Sequence, residues 1–296
     1  MDPFVISVLS NIGLFSFLAL SAWLLLIGGE ISFGQQAYFA IGAYASGIAT
    51  AISGWPFGLA LLWGAALGAL IGALIAWAAA RLSGVHYAIA TLAFAELVRA
   101  CLNVFSFQRE IDGYLTGPDG PNGFRDIRWV YETGVPPATY LVIIAALLLG
   151  CLVAIGIASR LNLMAQLRMV GEDPILAGMQ GLHVLRWKVG AAAAAGGIAG
   201  LGGGLYAHLT TYIEPAQFSV MIGVHAVAYG LIGGLGTALG PLLGVIIDIG
   251  LLESLRALSA YRMIVFGGLV ALILILRPRG ILDETLVLKV RTWLRR

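Results

Sequence analysis

Charge is what this sequence has least of: Asp, Glu, Lys and Arg together supply 11% of its 296 residues. A soluble globular domain carries roughly 25%. With 60% hydrophobic residues, the chain cannot cover a core of this size with a charged shell, so its outer surface must face hydrocarbon. Lysine is scarcer still, with Lys188 and Lys289 the only two. No G-x-x-x-x-G-K-[ST] loop is present to cradle a nucleotide phosphate, which excludes ATP binding by that mechanism. The net charge of +2 is small and its basic residues form no soluble module, which argues against a nucleic-acid partner. Cysteine occurs twice, at Cys101 and Cys151, both inside apolar runs. These are expected to be small buried hydrophobes rather than a disulfide or metal ligands. His86, His208 and His225 are scattered and share no metal-ligand spacing with a cysteine or carboxylate, so neither metal nor other cofactor is expected. Without an HExxH motif or a serine–histidine pairing, a membrane enzyme is disfavoured as well.

What the chain does have is long apolar runs. A spanning helix needs about 20 mostly apolar residues, at ~1.5 Å rise across ~30 Å of hydrocarbon. Runs occur at 4–27, 31–52, 56–80, 85–107, 138–159, 189–212, 219–235, 241–255 and 263–276. The expected fold class is all-α: a polytopic transmembrane helix bundle of about nine spans, a count good to one or two. The second run starts in the polar stretch GGEISFGQQ, which marks it, with the pair around Pro241, as a candidate broken or re-entrant segment. The run at 4–27 lacks a basic lead and a small-residue cleavage site, so it reads as a first span rather than a removable signal. One transmembrane domain results, with an N-terminal half at 1–159, a polar basic loop at 160–188 and a C-terminal half at 189–296.

Lysine and arginine set the orientation. Arg160, Arg168, Arg186 and Lys188 mark the loop, and Arg277, Arg279, Lys289, Arg291, Arg295 and Arg296 mark the C-terminal tail. Both are expected on the cytoplasmic side, which places 108–137 outside, and the N-terminus too unless the second run fails to cross. QQAYFAIGAYASGIA in the first half and VHAVAYGLIGGLGTALG in the second share a glycine-spaced texture after a polar start. Paired glycine-interrupted segments point to a translocation pathway, although glycine and alanine also serve close helix packing in any membrane bundle.

Ionisable groups within the runs need a reason, since each costs at least ~2.5–3.5 kcal/mol at the bilayer centre. Glu96 and Arg99 are three apart and therefore share a helix face. They read either as a pathway-lining pair or as an ion pair fixing one helix against its neighbours. Asp248, alone in PLLGVIIDIGLL, must face the bundle interior or a water-filled space. Glu253 and Arg256 repeat the spacing near a membrane surface, where a solvated pair is the simpler reading. In the basic loop, MVGEDPILAGMQGLHVLRWK predicts a short helix over 174–180. Asp173 caps it, Pro174 takes its first position and Gly181 stops it. Such a helix is either a docking element for a peripheral partner or an ordinary interfacial turn.

Several of these stretches together resemble one family, the permease subunits of ABC importers of the branched-chain amino acid class. The resemblance rests on ISFGQQAYFAIGAY, TLAFAELVR, LTGPDGPNG, EDPILAGMQGLHVLRWK, GGLYAHLTTYIEPAQFS and GLIGGLGTALGPLLG, which cover nearly the whole chain. The ISFG and TLAFAE versions are similar to the M-type permease rather than its H-type companion. The chain departs from the family at Gly171, where arginine is usual, at Pro174 and Gly178, where glutamate is usual or frequent, and at Gln35 or Gln36, where histidine is common.

The resemblance implies half of a translocation pathway in a bacterial cytoplasmic (inner) membrane. Its implied partners are a second, H-type permease, two cytoplasmic ATP-binding subunits, an extracytoplasmic solute-binding protein and the lipid bilayer. Ser32, Gly34 and Gln35 are expected pathway residues, because a polar start to a broken span exposes backbone only where it lines a cavity, and Glu96 and Arg99 join them as an intramembrane charged pair. Glu172, Asp173, Ala177, Gly181 and Arg186 are the expected ATPase-coupling residues. Within the class, urea, amides and aromatic acids are alternatives to branched-chain or other small amino acids as cargo. The rival from another class is a self-contained, ion-coupled secondary transporter, which would need a carboxylate such as Asp248 or Glu96.

Overall fold

The computed structural model describes residues 2–111, 114–252, 262–277 and 280–282. Helix α1 (Pro3–Ile27) starts where the Asp2 carboxylate accepts from the Phe4 amide and Pro3 takes the first helical position. A non-helical stretch from Gly28 to Gly34 then leads into α2 (Gln35–Ala51), followed by α3 (Phe57–Ala78) and α4 (Val85–Val104).

The polar stretch after α4, expected as a loop, folds into a small antiparallel sheet. Its strands are β1 (Arg109–Ile111), β2 (Tyr114–Pro118) and β3 (Phe124–Arg125). The register pairs Arg109 with Thr116 and Gly117 with Arg125. The short α5 (Trp129–Glu132) leads to α6 (Pro137–Arg160).

Loop 160–188 contains two helices, α7 (Leu163–Glu172) and α8 (Pro174–Met179), where the sequence predicted only the second. Then come α9 (Val184–Thr210), α10 (Val220–Gly233), α11 (Leu239–Val245) with a π-helical continuation over Ile246–Leu252, and α12 (Arg262–Leu276).

Among the described residues, α1, α3, α4, α6 and α9 are long and apolar enough to cross a membrane, giving five such helices; the apolar helices after α9 are shorter. The other runs are shortened for visible reasons. The stretch 28–34 delays α2, the segment after α9 delays α10, and α11 passes into a π turn.

Packing is by small residues. α3 lies on α9 so closely that a Cβ on Gly200 would sit 2.6 Å from the Gly64 carbonyl oxygen. In lipid, helix association has little hydrophobic drive, and backbone-to-backbone approach supplies the contact instead. α6 is the most apolar of the five long helices and the least buried, the reverse of a soluble protein and the pattern of a helix facing hydrocarbon.

The same inversion corrects one expectation. Cys101 is exposed on α4 and Cys151 only half-buried, because in a membrane an apolar setting does not require burial. The bundle has two distinct ends. At one, β3 pairs with the segment after α9 through a Phe124–Ile213 bridge. At the other, Gly171 meets the end of α1, Arg168 donates to the carbonyls of Leu235 (2.6 Å) and Gly236 (3.1 Å), and Gly280 abuts Gly234. Arg279, Lys289, Arg291, Arg295 and Arg296 lie outside the described residues, as do Glu253 and Arg256.

Candidate functional site

The stretch between α1 and α2 is where polar groups and irregular backbone coincide inside the bundle. Gly29 turns the chain with φ +77°, a conformation that a side chain would strain. It also faces Gly171 at the end of α7, and a Cβ on Gly29 would lie 2.5 Å from the Gly171 carbonyl oxygen. Neither position has room for a side chain, so loop 160–188 bears directly on the turn that leads into α2. Glu30 follows, buried, and accepts from the Lys188 ammonium, while its second carboxylate oxygen has no hydrogen-bond partner among the described residues. The Phe33 amide donates to the Thr91 hydroxyl at 3.1 Å, which in turn donates to the Tyr87 and Ala88 carbonyls of α4. The Gly34 amide donates to the Ser32 hydroxyl at 3.2 Å. α4 thus holds this stretch in place of the missing helical bonds.

Of the expected pathway residues, Ser32 and Gln35 are buried here, beside Gln36. Among the described residues, the side-chain amides of Gln35 and Gln36 have no hydrogen-bond partner, nor does the Tyr38 hydroxyl. Glu96 and Arg99 pair with each other on α4, at 2.6 Å and 2.8 Å, with about a third of each side chain exposed. No hydrogen bond or ion pair among the described residues joins them to Ser32, Gly34 or Gln35.

The coupling residues cluster on α7, α8 and the start of α9. One Asp173 carboxylate oxygen accepts from the Ile175 and Leu176 amides, both at 2.9 Å, which caps α8. The helix ends at Met179, and Gly181, with φ +88°, turns the chain just past it. Ala177 is buried, whereas Glu172, Asp173 and Arg186 are exposed. Sequence reasoning passed over the apolar tip: Ile175, Leu176 and Met179 stand exposed on this short capped helix. Apolar side chains within the short segment between the cap at Asp173 and the stop at Gly181 were the available signal. It also missed Glu30 and Arg168. Burial pushes the Arg168 guanidinium below its usual pKa, and Glu172 opposes that shift.

Asp248 faces the interior, as expected. It sits in the π turn and accepts from the Tyr229 hydroxyl at 2.6 Å. With Asn11, His225 and Phe266 it lines a cavity of about 570 Å³. His208 bonds singly between helices, to Thr50 at 2.9 Å.

A bundle of membrane-length helices, a broken polar span at its heart and a capped apolar peg beside it define a polytopic membrane transport protein. The chain belongs to the family described as branched-chain amino acid transport system, permease component, whose model matches residues 4–276. It is similar to the high-affinity branched-chain amino acid transport system permease proteins LivM of Escherichia coli and Salmonella typhimurium. Identity to each is 28% over 285 residues, covering 88% of this chain and 65% of theirs. The chain therefore spans somewhat under two thirds of the length of those relatives. No solved structure matches it.

Proposed function

We propose that the chain is one permease subunit of an ATP-driven importer for branched-chain or other small amino acids in a bacterial inner membrane. It would form half of the pathway, facing a second, H-type permease. Two cytoplasmic ATP-binding subunits would supply the energy, and an extracytoplasmic solute-binding protein would deliver the cargo. The chain itself would hydrolyse nothing. Its basic loop and the end that carries it would lie in the cytoplasm and the sheet outside, in a chain that passes through the membrane about nine times.

One observation carries this reading. The capped helix α8 presents exposed Ile175, Leu176 and Met179, and α7, directly before it, ends against the hinge that leads into α2. A partner that moves α8 thereby moves the polar stretch at Ser32, Gly34 and Gln35. Asp173 and Gly181 would set the shape of the peg, Ala177 would seat it, and Glu172 and Arg186 would flank the docking face. Glu96 and Arg99 would line the pathway beyond Thr91.

Co-expression of the chain with an H-type permease and the ATP-binding subunit, followed by native mass measurement, tests the assembly. The expected species holds one copy of each permease and two ATP-binding subunits. A lone homodimer of this chain that is active in transport would contradict it.

A further inference from the structure

Helix α2 starts inside the bundle, and α10 starts beside it with its first turn partly exposed. At α2, Gln35 and Gln36 are buried. At α10, the preceding Phe218 is buried against the rings of Phe39 and Tyr44. Among the described residues neither start is capped by a side chain, which removes one usual acceptor for first-turn amides. At α2, the backbone amides of Gln35 and Gln36 have no acceptor among the described residues. The two starts meet: Gly223, in the first turn of α10, packs against the Gln36 amide so tightly that a Cβ there would collide with its oxygen. The side-chain amides of Gln35 and Gln36 are buried at this start of α2 without a partner among the described residues, and the Tyr38 hydroxyl, likewise unmatched among them, lies on the α4 side beside Gly34 and Thr91.

Buried donors left unmatched in this number are not a resting arrangement for a protein interior. Each helix start also carries partial positive charge, and a broken membrane helix uses such a start to receive anionic groups. The nearest buried carboxylate upstream, Glu30, is already matched by Lys188. We infer that the junction of α2 and α10 at Gln35 and Gln36 binds the carboxylate of a zwitterionic amino acid cargo. This inference rests on the importer reading and deepens it: a carboxylate complements two positive helix starts, whereas urea and neutral amides bring no anion. Because Gln36 lies hard against Gly223, the carboxylate is admitted only when α2 and α10 part, which makes occupancy a consequence of the transport cycle.

The test uses the complete complex with its partner permease, ATP-binding subunits and solute-binding protein, reconstituted in vesicles. Uptake of labelled L-leucine, L-phenylalanine and urea is measured for the wild type, Gln35→Glu and Gln36→Glu, with assembled yield as the control. An added anion at the junction should lower amino-acid uptake at least tenfold without changing the yield. Should the variants fail to assemble, solid-state NMR on the wild type decides. The ¹³C carboxylate of the amino acid carried should lie within dipolar contact of a ¹⁵N-labelled glutamine side chain, and Gln36→Met should abolish or halve that contact. Unchanged uptake in both glutamate variants, or no contact in a complex that carries the amino acid, overturns the site. Transport of urea alone overturns it too but leaves the importer standing. A wild-type complex that carries nothing under ATP removes the importer reading and this site together.

Discussion

Glu30 and Lys188 join the α1–α2 hinge to the first turns of α9, across a separation of 158 residues. Their side chains are 5% and 17% exposed, so the pair sits where an unmatched charge is expensive. Breaking such a pair from one side typically costs about 3–5 kcal/mol, whereas removing both partners is much milder. Lys188→Met is therefore expected to lower the thermal stability of the solubilised protein sharply. Glu30→Gln combined with Lys188→Met should recover most of that loss, and purely additive losses would show that the two side chains do not act as a pair. Nothing in the sequence announced this contact, because two residues so far apart meet only through the fold. Glu96 and Arg99 were legible for the opposite reason: a separation of three on one helix fixes their proximity before any tertiary structure exists. Cys101 shows where a residue-level rule learned from soluble proteins misleads, since its apolar surroundings are those of an exposed membrane face.

Helix α8 is the element on which the coupling account depends. Its boundaries were readable because capping is local: Asp173 and Gly181 need only their immediate neighbours. α7 was not readable in this way. It carries no side-chain cap, and its preference is decided by packing of Leu167 and Val170 against other parts of the chain. The broken second span was half legible. GGEISFGQQ signalled irregular backbone, but not that Thr91 of α4 would hold it. Gly181→Val forces a β-branched side chain into a left-handed turn. In a normally assembled complex it should lower uptake per ATP hydrolysed on the order of tenfold, within the ~1–3 kcal/mol usual for coupling between sites. Asp173→Ala should act in the same direction and more mildly, costing the helix ~1 kcal/mol. Paired measurements of ATP hydrolysis and uptake check both. Wild-type values for Gly181→Val would reduce α8 to an ordinary turn.

At the scale of the whole molecule, composition already dictated a membrane protein, because so few charges cannot clothe a water-soluble core. The number of passages was less legible. The run 31–52 reads as a candidate broken span and 219–235 as a full one; the structure gives 31–34 to non-helical backbone, and α10 fills most of the other run without reaching membrane length. Hydropathy registers only that a segment is apolar, not where its backbone hydrogen bonds are made.

The molecule also holds a feature that a different energy source would use: Asp248 beside a cavity of about 570 Å³, where an ion-coupled carrier would place its carboxylate. The energy source is therefore the central question, and one measurement addresses it directly. Vesicles containing the assembled complex, loaded with ATP on the cytoplasmic face, are compared with vesicles given only a proton or sodium gradient. The importer account predicts amino-acid uptake with ATP, lost when the ATP-binding subunits are inactivated, and none from either gradient. Gradient-driven uptake by this chain without ATP-binding subunits would contradict it.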